Sequence, residues 1–109
     1  MGPRKLLREG QLSKAGSGRK LNAYLFNDLL LFTEGKSGEI EYVYRWPIPL
    51  EECSVRSRSD VSLQVSHRGE TFNLKVGSSR LCQTWIKEIN VARQACLDAN
   101  EKRRSKLMY

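Results

Sequence analysis

The chain has one histidine, three cysteines and no apolar run longer than the four residues at 29–32. Each scarcity removes a class of function. With His67 as the single histidine, neither a histidine-based nucleophile triad nor a His/Cys metal set can be assembled. Cys53, Cys82 and Cys96 are widely spaced and include no CxxC pair, which fits buried packing in a reducing compartment better than disulfide or redox work. On a helix, Cys82 and Cys96 would stand about 21 Å apart along the axis, too far to bridge. A bilayer span needs roughly 18 apolar residues, so none is expected. The N-terminus has no apolar signal region, Leu6 stands where a myristoylation motif wants Ser or Thr, and no C-terminal Cys box follows. Any membrane contact is then peripheral and reversible. Gly16-Ser17-Gly18-Arg19-Lys20 lacks the GxxxxGK[ST] spacing of a nucleotide loop, and the carboxylates form no evident acid/base pair. The expectation is a non-enzyme with no cofactor and no metal.

Acidic residues are also in deficit. The 109 residues carry 19 Lys and Arg against 12 Asp and Glu, a formal charge of +7. Residues 1–20 concentrate six cations (Arg4, Lys5, Arg8, Lys14, Arg19 and Lys20) against Glu9 alone, and the far C-terminus repeats the bias with Lys102, Arg103, Arg104 and Lys106. An acidic partner follows, whether a lipid surface, nucleic acid or protein. The abrupt basic start points to a piece of a longer chain, with 1–5 as a linker from a preceding domain. The length allows one domain over 1–109.

Strand signals come first. Short period-two segments are predicted at 6–14, 20–26, 29–33, 40–46, 53–56, 61–66 and 71–76, separated by Gly, Ser, Asn and Asp turns. Pro47 and Pro49 must lie at an edge or beyond a strand end. Seven short strands at this spacing suit a sandwich or small barrel. A helix is then predicted over 78–107, capped by Ser78 or Ser79, with Leu81, Trp85, Ile89 and Ala92 on one face. Its first half would plug the barrel, while its second half is mostly charged. The fold class is therefore mainly β with one C-terminal helix.

The chemistry is expected at the first hairpin, where Lys14 precedes and Arg19-Lys20 follows a Gly/Ser loop. Small residues admit close approach of an anion to backbone N–H groups, and the flanking cations supply the field. If Leu12 faces inward, so does Lys14; if Tyr24 and Phe26 face inward, so do Asn22 and Lys20. Lys14, Lys20 and the loop amides would then converge at the mouth of an open barrel.

Seven strands closed by one helix with a central Trp resembles the pleckstrin-homology (PH) domain over essentially the whole chain. The pattern Lys14, loop, Lys20 ahead of an aromatic is similar to that family's phosphoinositide signature, and Trp85 stands where its tryptophan is expected. Within the family, KAGSGRKLNAYLFNDLLLFT resembles the PH domains of intersectin-type, Dbl-family Rho exchange factors, in which the module follows a helical Dbl-homology domain. The resemblance implies a seven-stranded open barrel or orthogonal sandwich and a non-catalytic module that targets or regulates an attached exchange domain. It implies headgroup binding by Lys14, Arg19, Lys20 and Asn22, with Lys36 as helper. It also implies a cytoplasmic location at the inner face of the plasma membrane or of endocytic membranes. Asn22 occupies the position where the signature usually has Arg. That loss removes a charge-assisted contact of about 1.5–3 kcal/mol, so binding should be loose and carried mainly by surface electrostatics.

The rival reading is a protein-interaction domain of the same fold with an idle lipid mouth. Trp46, Arg103 and Arg104 would then contact a helical exchange domain or a Rho-family GTPase. A nucleic-acid role is not expected: single-strand binding needs exposed aromatics among the cations on a sheet face, and no RNP-like motif is present.

Overall fold

The computed structural model describes residues 4–35, 42–44 and 47–107, with 102–107 as helix backbone. Strands β1 (Leu6–Lys14), β2 (Lys20–Phe26) and β3 (Leu29–Glu34) form a meander. Two-residue strands β4 (Tyr42–Val43) and β5 (Ile48–Pro49) follow, then β6 (Cys53–Ser59), β7 (Ser62–His67), β8 (Glu70–Lys75) and helix α1 (Ser79–Leu107). The sheet is antiparallel throughout, in the order β4-β3-β2-β1-β8-β7-β6, with β5 added to β3.

Only Ser13–Lys75 and Lys14–Leu74 join β1 to β8, so the sheet folds over at this narrow seam into an open two-layer sandwich. Phe32 of β3 meets Phe72 of β8 edge to face across the gap, with ring centroids 5.5 Å apart. Of the 40–46 segment expected as a fourth strand, residues 42–44 are described, with Tyr42–Val43 as strand. The proline-bearing segment supplies a separate two-residue strand, Ile48–Pro49, paired to β3. Pro49 is tolerated there because an edge strand does not need every N–H in the ladder.

Alternation fixes which side chains enter the core. Phe72, Leu74 and Val76 are buried as expected, and so are Leu63 and Val65, whereas Val61 lies in the preceding turn and is exposed. On β2 the expected phase is reversed. Leu21, Ala23 and Leu25 are fully buried, while Asn22, Tyr24 and Phe26 are half-buried on the other face. The reason is steric. Gly10 pairs with Ala23, and a Cβ added to Gly10 would lie 3.1 Å from Trp85 Cζ2. Gly10, paired with Ala23, thus leaves the dent that receives the indole, with Leu21 and Leu25 buried on the same face of β2.

On α1 the buried stripe is Cys82, Trp85, Ile89 and Ala92; Leu81, expected on that face, is exposed. Spacings of three, four and three keep the stripe on one side of a 3.6-residue helix. Ser78 caps the helix, its Oγ accepting from the Leu81 N–H at 3.2 Å. Arg8 reaches from β1 to α1, pairing with Glu88 through both guanidinium and carboxylate arms with its charge above the Trp85 ring. The described part of the expected linker is tied down as well. Arg4 holds Asp28 through Nε and Nη2 at 2.9 and 2.8 Å, and the Lys5 N–H donates to Asn27 Oδ1 at 3.0 Å. Among the described residues no helix is long and apolar enough to cross a membrane.

Candidate phosphate-binding site

The loop between β1 and β2 is short and internally bonded. The Lys14 N–H donates to the Arg19 carbonyl at 2.8 Å, and the Gly18 N–H donates back to the Lys14 carbonyl at 2.9 Å. Gly16 and Gly18 have φ of 94° and 72°, which an L side chain rarely adopts. The Ala15 N–H donates to the Asn73 carbonyl at 2.9 Å, which pins the loop to β8. The sequence therefore builds a fixed platform that carries cations on both shoulders.

Register decides where those cations lie. Lys14 pairs with Leu74 and shares its phase with Leu12, so it continues the inner face to the open end of the sandwich. There its Nζ donates to Tyr44 Oη at 2.7 Å and lies 5.4 Å from the centre of that ring. Arg19 stands opposite Lys14 at the base of the loop, and its Nη1 donates to Glu34 Oε1 at 3.1 Å. Glu34 is two residues beyond Phe32 and so on the inner phase of β3. Lys14, Arg19, Tyr44 and Glu34 thus line one mouth.

Lys20 is elsewhere. It pairs with Ser13, one residue away from Lys14, and therefore projects from the opposite face of the sheet. Asn22 shares that outer phase, and its Nδ2 donates to the Gly35 carbonyl at 3.2 Å. The expectation that Lys14 and Lys20 converge is corrected by this register: β2 presents its other phase to the core because Gly10 and Ala23 make room for Trp85. Lys36, Trp46 and the side chains of Arg103 and Arg104 lie outside the described residues.

Tyr44 and Glu34 escaped the sequence reading. Alternation from Phe32 would have found Glu34, since position 34 follows the phase of position 32. Tyr44 lies just past the two-residue strand β4, so the alternation expected over 40–46 does not place it.

A phosphate held between Lys14 and Arg19 would accept charge-assisted hydrogen bonds from both side chains. A larger recess of about 730 Å³ lies between β5 and the β7–β8 turn, lined by Tyr44, Pro47, Ile48, His67 and Phe72 among others. Its lining mixes apolar and polar groups, and the one arginine among the described lining residues, Arg68, is paired with Glu52 at 2.8 Å. The charge that attracts an anion sits at the hairpin instead. Among the described residues no group of three His, Cys, Asp or Glu side chains is placed to hold a metal ion.

A family model described as the pleckstrin homology domain matches residues 1–109. The chain belongs to the pleckstrin homology family. Within it, this PH domain is 32% identical over 126 aligned residues to Intersectin-1 of Homo sapiens and of Xenopus laevis, and 31% identical over 127 residues to Intersectin-2 of Mus musculus. The matches cover 97% of this chain but 7–8% of those proteins, so the chain spans a small part of the relatives it matches. Among solved structures, the N-terminally truncated linker-DH/PH domains of p115-RhoGEF superpose with a TM-score of 0.76 at 17% identity, covering 87% of this chain and 30% of that one. The DH/PH fragment of PDZ-RhoGEF in complex with human RhoA gives 0.72 at 17% identity, covering 84% and 29%. The PH domain of Slm1, crystallised with phosphoserine, gives 0.68 at 16%, covering 82% and 97%. At these identities the structures speak to the fold, which is the open sandwich closed by a C-terminal helix.

Proposed function

We propose that this PH domain is a non-catalytic module that loosely holds phosphoinositide headgroups or other anionic lipid at the mouth formed by Lys14 and Arg19. In doing so it would target or regulate an attached Rho-family exchange domain. The observation that carries the reading is the pair of cations at one open end of the sandwich, on a glycine loop fixed by its own backbone hydrogen bonds. Binding is loose for two physical reasons. Asn22 cannot supply the bidentate cation that a third basic position would, and it points away from the mouth. Arg19 already has an anion, Glu34, within 3.1 Å. Long-range attraction by the net charge of +7 then contributes much of the affinity, at about 1 kcal/mol per basic residue near an anionic surface.

The context is inferred from the intersectin relatives and from the DH/PH structures. Residues 1–5 would be the link from a preceding Dbl-homology domain, a Rho-family GTPase an indirect partner, and the inner face of the plasma membrane or endocytic membranes the place of work. Co-sedimentation with phosphatidylcholine vesicles doped with phosphatidylinositol bisphosphate tests the lipid reading. Lys14→Glu with Arg19→Glu should lower binding by tenfold or more while the far-ultraviolet circular dichroism is unchanged. Unchanged sedimentation would end this reading of the site.

One observation favours the second reading, a protein contact. Tyr42 and Val43 are exposed on the edge strand β4, beside the mouth. Pull-down with the attached exchange domain or a Rho-family GTPase, lost on Tyr42→Ser with Val43→Ser, would support it.

A further inference from the structure

Among the described residues the sheet has two edges of different kinds. At one, β4 and β5 are two residues long and β5 contains Pro49, features that blunt the addition of another strand. At the other, β6 runs for seven residues, Cys53–Ser59, contains no proline and pairs with β7 alone. Every second residue of such an edge turns its N–H and C=O away from the sheet, where another extended chain can meet them.

The side chains along β6 decide what kind of chain fits. Cys53 and Val55 are buried on the inner face, whereas Ser54 and Arg56 are exposed on the outer one. Arg56 is held upright by Gln64, whose Oε1 accepts from its Nε at 2.8 Å, and Gln64 in turn donates to Asn73. Among the described residues the two terminal nitrogens of Arg56 have no partner. Arg58 is exposed at the irregularity between Ser57 and Ser59, where a bulge bends the strand. Neither β6 nor β7 contains an acidic residue. Of the acids flanking β6, Glu51 meets Cys96, Glu52 is taken by Arg68 at 2.8 Å, and Asp60 lies in the turn beyond. Helix α1, which packs against β6, adds a third cation. Arg93 lies close enough to Cys53 to act on its thiol, and Arg93 Nε is buried with no hydrogen-bond partner.

A second copy of the chain is a poor occupant. Antiparallel self-pairing centred on residue 56 would set Arg56 against itself, and centred on residue 57 it would set Arg56 against Arg58. Like charges directly opposite each other are destabilising. The same two arginines favour a strand that carries carboxylates at alternate positions.

We infer that β6 is a docking edge for an extended acidic segment of another polypeptide, added to the sheet as a further strand. Its acidic side chains would stand beside Arg56 and Arg58 on the outer face. The alternate, apolar ones would lie beside Val55, toward α1. Main-chain hydrogen bonds supply the pairing and the arginines supply the selection. The inference does not depend on what the Lys14–Arg19 mouth binds.

The test follows amide hydrogen exchange by NMR in the 109-residue chain, with and without the acetylated, amidated peptide TDVETDVT. Saturable slowing of exchange at alternate amides of residues 53–58 is expected. The lysine counterpart TKVKTKVT and the proline-broken TDVEPDVT should give none. Arg56→Gln/Arg58→Gln should weaken binding of the acidic peptide roughly tenfold. Lys14→Ala/Arg19→Ala should leave the protection in place, and thermal melting confirms that each variant is folded. The inference is overturned if the acidic peptide protects no alternate amides, or if the lysine or proline peptide protects them equally. It is also overturned if protection survives Arg56→Gln/Arg58→Gln unchanged. Protection that rises with protein concentration in the absence of peptide would assign the edge to a second copy instead. Protection by phosphatidylserine vesicles but not by the peptide would assign the arginines to a membrane.

Discussion

Arg19 and Glu34 face each other across the mouth at 3.1 Å, so the mouth carries its own counter-ion. Both side chains are substantially exposed, and such a pair contributes at most about 1 kcal/mol to stability. Its effect on an incoming phosphate is larger in consequence, because the carboxylate must be displaced or tolerated.

Glu34→Gln should therefore strengthen binding to anionic vesicles with little change in melting temperature. Removing one negative charge at the surface corresponds to about 1 kcal/mol, or roughly fivefold in affinity. Vesicle titration of the variant at low and moderate salt checks this, and the gain should shrink as salt is raised.

The contact between Gly10 and Trp85 gives a stability prediction. Gly10→Ala places a methyl 3.1 Å from Trp85 Cζ2, and the buried indole is held by the helix on one side and by Arg8 on another. Overpacking of this kind costs about 1–3 kcal/mol, against which alanine regains up to about 1 kcal/mol of backbone entropy. The net expectation is a loss of about 1 kcal/mol, measurable by urea unfolding. Trp85→Ala should cost more, about 3–5 kcal/mol.

Acid should weaken the lock between β1 and α1. The Arg8 guanidinium hydrogen-bonds Glu88 and holds its carboxyl below the ordinary value of 4.5, and Arg4 does the same to Asp28 below 3.8. A folded-state pKa that is depressed contributes stability above the unfolded value and loses it as pH falls through the folded one. Stability measured by urea unfolding should therefore decline as pH drops below the ordinary carboxylate range. Glu88→Gln should flatten that decline while lowering stability at neutral pH.

The cysteines should differ in reactivity. Burial pushes the Cys53 thiol up to about 11, and burial also raises Cys82 and Cys96. Cys96 alone is half-buried rather than buried. Under native conditions iodoacetamide should label Cys96 first, with Cys53 protected until the domain unfolds, as peptide mass spectrometry would read.

Alternation and turn chemistry made much of the fold legible in the sequence. Phe72, Leu74 and Val76 enter the core as their spacing requires, and Trp85 sits at its centre. The phase of β2 was not legible, because LNAYLF satisfies a period of two in either sense. The choice depends on Gly10 and Ala23 making room for an indole some sixty residues later in the chain. That one ambiguity controls the site: with the phase reversed, Lys20 and Asn22 leave the mouth. Glu34 and Tyr44 take places beside Lys14 and Arg19, and Tyr44 follows a strand of only two residues. Leu81 lies at the margin of the helical face on which Cys82, Trp85, Ile89 and Ala92 are buried.

A structure of the domain with soluble inositol trisphosphate tests the central claim most directly. A phosphate oxygen is predicted within hydrogen-bonding distance of Lys14 Nζ, with the Arg19 guanidinium turned from Glu34 onto the ligand. A headgroup bound while the Lys14–Tyr44 and Arg19–Glu34 contacts stay intact and no phosphate enters the mouth would contradict it.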